Sequence, residues 1–368
     1  MVLTANHRDR GAVDGVQTWD LDTGLRRSQY YQWPGQTDPK YRFLADPVLD
    51  RRGRRYVLPR ESGLIEVWNL ATAEKAVVGG PEAGVVTALA LSRDGTTVVT
   101  DSADGRVLIW DVTAREAGTP RLLARNGVAL GAELSPDGNK LALGLETRLD
   151  LLDMTSGAVL ASVGLDAVRA PAVQQRAMSF SPDGKALVTW NSLFGSLVLY
   201  NLESRRVHRF RFSGKSITTP VFSPDSSRMA VAVACIPRVV DVDTGQMRTL
   251  TGHRDGVFDM AWSPDGKVLA SASNDRTIWL WDLDTGTVRI LRGHFGSVES
   301  VAFSPDGATL TSVSSDDTVR RWDIAHLPDD RAKALPQRLA EATTAVIGEG
   351  GRAETPAPTR VAGRAPAR

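Results

Sequence analysis

Short apolar runs recur along most of the chain, and each ends in a large apolar residue followed by Asp or Asn. These marks are Trp19-Asp20, Trp68-Asn69, Trp110-Asp111, Leu152-Asp153, Tyr200-Asn201, Val240-Asp241, Trp281-Asp282 and Trp322-Asp323, spaced 49, 42, 42, 48, 40, 41 and 41 residues apart. A period near forty fits four short strands with their turns, repeated many times. A second mark keeps the same beat. It is Ser135-Pro-Asp-Gly138, Ser181-Pro-Asp-Gly184, Ser263-Pro-Asp-Gly266 and Ser304-Pro-Asp-Gly307, with weaker copies at Ser92-Arg-Asp-Gly95, Ser223-Pro-Asp-Ser226 and Asp50-Arg-Arg-Gly53. These are hairpin turns: Pro presets the first φ, Asp bonds the local backbone, and Gly accepts the positive φ that closes the bend. Asp282-Leu-Asp-Thr-Gly286, copied at Asp153 to Gly157 and Asp241 to Gly245, makes another turn. The pattern predicts four antiparallel strands per unit in an all-β chain. A lone four-stranded sheet cannot bury both its faces, so the units must stack face to face around an axis as a β-propeller.

The units end near residues 20, 69, 111, 153, 201, 241, 282 and 323, and the propeller is expected to occupy 1–348. Two stretches break the beat: residues 30–42, read as a long loop carrying Tyr30, Tyr31, Trp33 and Tyr41, and an Ala- and Pro-rich insertion near Asp166 to Gln175. Residues 349–368 form an Ala/Pro/Arg tail too poor in large apolar residues to fold alone. Residues 1–24 supply two strands with none before them. Ring closure therefore has two readings. In the favoured one, Pro336 to Glu341 and Thr343 to Ile347 pair the termini and close eight blades; in the other, Pro336 starts a helix and seven blades close without residues 1–24.

Composition narrows the function classes. Lys and Arg total 44 against 43 Asp and Glu, so no global field attracts nucleic acid or an anionic membrane. Seven of the 44 are Lys, an arginine bias read as a GC-rich bacterial coding style. The single cysteine, Cys235, lies in the apolar run Met229 to Ile236 and reads as a small hydrophobe suited to a reducing interior. The opening residues lack a signal-peptide core, and no apolar run approaches the ~18 residues of a membrane span. A cytoplasmic location and a monomer are the expectations.

One unit carries Gly252-His253, Ser263-Pro-Asp-Gly266, Asp275 and Trp281-Asp282, and the next repeats these from Gly293-His294 through Trp322-Asp323. In these residues the chain resembles the WD40 repeat family, from residue 1 to about 325. The resemblance implies a hydrogen-bonded structural set within a blade: His253, Ser273, Asp275 and Trp281, then His294, Ser314, Asp316 and Trp322, with Ser271 and Ser312 as neighbouring candidates for the hydroxyl. The third unit keeps Asp104 and Trp110 but has Pro81 in place of His. The fourth, fifth and sixth units lack His, turn Asp and Trp together, so apolar packing must hold them.

No HExxH, GxSxG, Walker A or paired-Cys pattern is present, so enzyme, nucleotide and metal readings have no anchor and no cofactor is expected. The repeated Asp residues are accounted for as turn residues. The resemblance implies a partner-binding face at the loops, carried over to Phe43, Val86, Leu130, Gln174, Arg176, Thr218, Phe258, Asn274, Glu299 and Ser315. Its small and apolar residues, with Phe43 and Phe258 as anchors, suit a protein or peptide better than a phosphate backbone. The expected function is a non-catalytic protein-interaction scaffold. The alternative is the sensory part of a larger signalling enzyme (a kinase, protease or ATPase).

Overall fold

The computed structural model describes strand backbones within residues 2–33, residues 48–49, and most residues of 54–324. Outside the description lie 1, 7–13, 21–25, 34–47, 50–53, 61, 71, 73, 80–83, 114–118, 166–176, 192–194, 213–216 and 325–368. The described strands form eight antiparallel sheets, six of four strands and two of three. The first sheet joins Val2–Asn6, Asp14–Asp20 and Arg26–Trp33. Tyr30, Tyr31 and Trp33 thus stand on its outer strand, not in a loop; their β-propensity suits that place. Tyr41, the 166–175 insertion, the closing segments 336–347 and the tail fall outside the described residues.

From Val48 to Asp323 seven sheets follow one another and pack face to face. Six apolar clusters fill the six seams, and each draws on two consecutive sheets. The cause is the period-two alternation of a strand, which sends neighbouring residues to opposite faces. Within Val268–Ser273 of the seventh sheet, Leu269 joins the cluster shared with sheet six, whereas Ala270 and Ala272 join that shared with sheet eight. The same size asymmetry recurs. Leu141, Leu143, Leu187 and Met229 face the preceding sheet, while Ala142, Ala186, Ala230 and Ala232 face the following one. Large side chains of one sheet therefore seat on the small residues of its predecessor, which keeps the seam tight where the sheets converge.

The Ser-Pro-Asp-Gly turns form as read. Ser263 Oγ donates to Asp265 Oδ1 at 2.6 Å and accepts from the Val268 amide at 2.9 Å, while Gly266 adopts a φ of 71°. Ser226 takes the glycine place at a φ of 63°, and its Oγ accepts the Asp183 amide of the preceding sheet at 3.1 Å. That bond offsets the cost of a left-handed non-glycine residue.

Most seams are also stitched by one side chain that reaches a backbone carbonyl just past the next sheet's Asp mark. Arg55 Nη1 donates to Val112 O (3.3 Å), Arg121 Nη2 to Met154 O (2.7 Å), Arg248 Nη1 to Leu283 O (2.9 Å) and Arg289 Nη1 to Ile324 O (3.2 Å). His208 Nε2 lies 3.1 Å from Asp243 O. Arg121, His208, Arg248 and Arg289 all pair with the residue two before the mark, namely Ile109, Leu199, Val239 and Leu280. In sheet four that register position, opposite Leu151, is Ala161, which has no side-chain donor.

Candidate binding face

Gly252 precedes its histidine for a steric reason, and Gly293 precedes the other with a φ of 152°. A Cβ on Gly252 would lie 2.0 Å from the Trp279 ring. Trp279 stacks on Trp281 at 5.0 Å between centroids and tilts against His253 at 5.0 Å. The polar chain beneath runs in one direction. Trp281 Nε1 donates to Ser271 Oγ at 2.9 Å, Ser271 Oγ stands 2.7 Å from His253 Nε2, and His253 Nδ1 lies 2.8 Å from Asp275 Oδ2. Burial pushes the His253 pKa down, outweighing the pull of Asp275, so the ring is neutral near pH 7. With its one proton on Nδ1 it donates to the carboxylate and accepts the serine hydroxyl, and every group in the chain is satisfied. Burial also raises Asp275, but donors from Thr277, the Arg254 amide and His253 outweigh it and hold this carboxyl below its ordinary range.

The next sheet repeats the arrangement. Trp322 Nε1 donates to Ser312 Oγ at 2.9 Å, Ser312 Oγ lies 2.8 Å from His294 Nε2, and His294 Nδ1 lies 3.0 Å from Asp316 Oδ2. In both sets the hydroxyl belongs to Ser271 and Ser312, not to Ser273 and Ser314. All four serines share a strand face, so alternation alone cannot separate them. Trp281 stands opposite Leu269, and its indole reaches one diagonal place along, to Ser271, but not two. Ser273 Oγ instead binds Asp255 O and the Asp275 amide, closing the turn. In sheet three Trp110 Nε1 donates to Thr100 Oγ1 at 2.9 Å, while Asp104 pairs with Arg106 at 2.5 Å.

These networks fix one set of loops, those between fourth and first strands and between second and third strands. Asp275 Oδ2 holds the Arg254 amide, and Asn274 Nδ2 binds Asp255 at 2.7 Å. Asn274 Oδ1 accepts Ser297 Oγ from the next sheet, tying adjacent loops together. On this face Phe258 is 51% exposed and Ser315 is exposed, while Leu130, Thr218, Asn274 and Glu299 are half-buried. Thr218 Oγ1 accepts the Ala232 amide. Val86 does not belong to the face: it is fully buried in the core between sheets two and three. Val86 pairs with Ser102 as Val257 pairs with Ser273, and Thr87 stands five residues before Ser92 as Phe258 stands five before Ser263, so Thr87 is the counterpart of Phe258. Phe43, Gln174 and Arg176 lie outside the described residues.

Sequence reasoning missed Phe295, 82% exposed just after His294, together with Val85 and Leu64. Their only signal was an apolar residue inside a loop. Cys235 is half-buried in the tight turn after Val233, at the rim of its sheet and outside the apolar interior. Among the described residues no group of three His, Cys, Asp or Glu side chains could hold a metal ion, and no helix is long and apolar enough to cross a membrane.

Stacked four-stranded sheets with a Trp-Ser-His-Asp chain beneath one loop face define a WD40 β-propeller. The model of the WD domain, G-beta repeat, matches residues 74–111, 245–282 and 286–323, and the chain belongs to the WD40 repeat family. It is 29% identical to WD repeat-containing protein SL1-17 of Schistosoma mansoni over 52% of this chain and 63% of that protein. It is also 25% identical to telomerase protein component 1 of Mus musculus, over 74% of this chain and 10% of that protein. With a component of chromatin assembly factor 1 from Gallus gallus it shares 32% identity over 36% of this chain and 25% of that protein. The chain thus spans less than two thirds of each of these relatives. WD40 proteins are generally non-catalytic and generally bind protein partners.

Proposed function

We propose that this chain is a non-catalytic scaffold that takes a peptide or folded protein on the loop face. One observation carries the reading. Of the eight large apolar residues exposed among the described ones, five (Leu64, Val85, Val128, Phe258 and Phe295) stand in or beside the loops of that single face. Exposed aromatic and aliphatic residues gathered on a rigid base are what a protein partner buries. The relatives named for chromatin assembly and telomerase are components of assemblies by their own names, which supports a role in assembly here. The small matched share of those relatives favours a second reading, in which the propeller is the regulatory part of a larger enzyme. The near-neutral charge supports protein, not nucleic acid or lipid, as the ligand, and the lone thiol of Cys235 suits the cytoplasm.

Photo-crosslinking tests the binding face. A benzoylphenylalanine at position 258 or 295 is expected to trap discrete protein partners, while one at Leu122, exposed on an outer strand, should trap none of them. Equal capture from all three positions overturns the assignment.

A further inference from the structure

The remaining exposed apolar residues lie on outer strands. Each outer strand is a sheet edge with unpaired backbone groups, and proteins protect such edges with charge. Six of the seven described outer strands obey: Arg26–Trp33, Glu74–Val78, Arg121–Arg125, Val207–Arg211, Met247–Thr249 and Val288–Arg292 each carry Lys or Arg. The outer strand of sheet four, Val159–Gly164, reads Val-Leu-Ala-Ser-Val-Gly and holds no ionisable side chain. Its Val159 and Leu160 are each 51% exposed.

Among the described residues no strand pairs with this edge, and its ends are charged. The Leu165 amide bonds inward to Thr147 O, so by alternation the backbone groups of Ser162 and Gly164 point off the sheet. Gly164 O confirms that direction, because it accepts Arg209 Nη2 of the neighbouring sheet at 3.1 Å. A bulge between Leu151 and Leu152 leaves Leu160 as the extra, unpaired residue, and what it presents is leucine, not a charge. At the other end Arg121 reaches Met154 O and Thr155 O, in the turn that leads into the strand. An uncharged ladder of about five residues, roughly 17 Å long, therefore runs between two guanidinium groups contributed by the flanking sheets.

We propose that Val159–Gly164 is a strand-addition site for an extended segment of a partner protein, with β-branched residues at its centre and carboxylates at both ends. Charge selects this occupant. A second copy pairing about a two-fold axis would align the strands antiparallel and set Arg121 of one chain against Arg209 of the other, like against like. An acidic-ended segment instead meets opposite charge at each end and apolar side chains between.

The test uses the full chain and three synthetic peptides: acetyl-Glu-Asp-Val-Thr-Val-Thr-Val-Asp-Glu-amide, its Lys-for-acid counterpart, and the acidic peptide with its middle Val replaced by Pro. The acidic peptide is expected to slow amide exchange at Ser162 and Gly164 at least tenfold, and the other two to leave it unchanged. Leu160→Lys and Arg209→Glu should each weaken binding of the acidic peptide about tenfold while the melting temperature stays put. Four results overturn the proposal: equal protection by the acidic and lysine peptides; no protection at millimolar acidic peptide; amides already protected in the free chain, which assigns the edge to its own segments; or a dimer in sedimentation that Leu160→Lys abolishes.

Discussion

Sheets seven and eight and sheets four to six share one architecture but are held differently. In the former, His253 and His294 each link a Trp, a Ser and an Asp through four chain segments, so the loop face is bonded to the body of its own sheet. In the latter no such chain forms among the described residues: the places of Ser271 and Trp281 are held by Leu143 and Leu152, Thr189 and Tyr200, and Val231 and Val240, while sheet four has a different buried network, Asp150 with Asn126, Arg148 and Ser162. Apolar packing is non-directional and tolerates repacking. A directed hydrogen-bond chain does not, so the loop positions at Phe258 and Phe295 are set more sharply than those of sheets five and six.

Two carboxylates, Asp101 buried and Asp259 half-buried, sharpen the contrast. Asp259, between sheets seven and eight, accepts the Met260 amide at 2.8 Å, the Val301 amide at 3.0 Å and Ser300 Oγ at 2.7 Å. Asp101, between sheets three and four, binds the Ala129 amide at 2.6 Å and Thr87 Oγ1 at 3.2 Å through Oδ2, but its Oδ1 meets no donor. Burial pushes both carboxyls up, and Asp101 reaches about 7.

The largest effect expected is at Trp281. Its replacement by Ala should cost about 3–5 kcal/mol, the usual range for a buried large aromatic, because the change empties the seam and strands Ser271. Tyr200→Ala, at the matching mark of sheet five, should cost less in the same thermal melts, since no His-Asp pair depends on it. Equal losses would remove the distinction between the two regions.

Asp101 comes next. Its folded pKa lies above the ordinary carboxylate value, so the native state holds a proton that the unfolded chain has released between about pH 4 and 7. Stability must therefore fall as pH rises through that window and level off above it, by at most about 4 kcal/mol. Asp101→Asn should flatten the slope, measured by denaturant unfolding at pH 5 and pH 8. An unchanged slope in the variant would place the titration elsewhere.

The smallest effect belongs to the stitches between sheets. Arg248→Met should cost about 1 kcal/mol, the worth of one such bond, and speed amide exchange beside Leu283. Ala161→Arg, at the register position without a donor, should gain a similar amount. If Ala161→Arg slows no exchange in sheet five, that seam owes nothing to the missing bond.

The unit boundaries were legible because turn chemistry and strand alternation are local and act through the sequence itself. Every mark from Trp68 to Asp323 falls at the end of a third strand. Choices of one step along a strand were not. Ser271 and Ser273 lie two residues apart on one face, and only the reach of the indole across the ladder decides between them. Val86 is one residue off the face, since Thr87 stands five before its turn serine as Phe258 does, and that single step carries the side chain from the loop face into the core. Phe295 and the bare edge at Leu160 escaped for a different reason: exposure depends on neighbours distant in sequence, and an apolar residue reads the same whether covered or open.

The unequal faces of the sheets give the chain a grammar. Because bulk follows alanine at every seam from sheet three onward, one of these units fits behind another, and duplicating or deleting a whole unit there joins a large face to a small one at the new junction. Reversing a unit, or inserting one with alanine on both sides, leaves a void at one junction. Repeat number in such a protein is thus free to drift by whole steps while the direction of stacking stays locked.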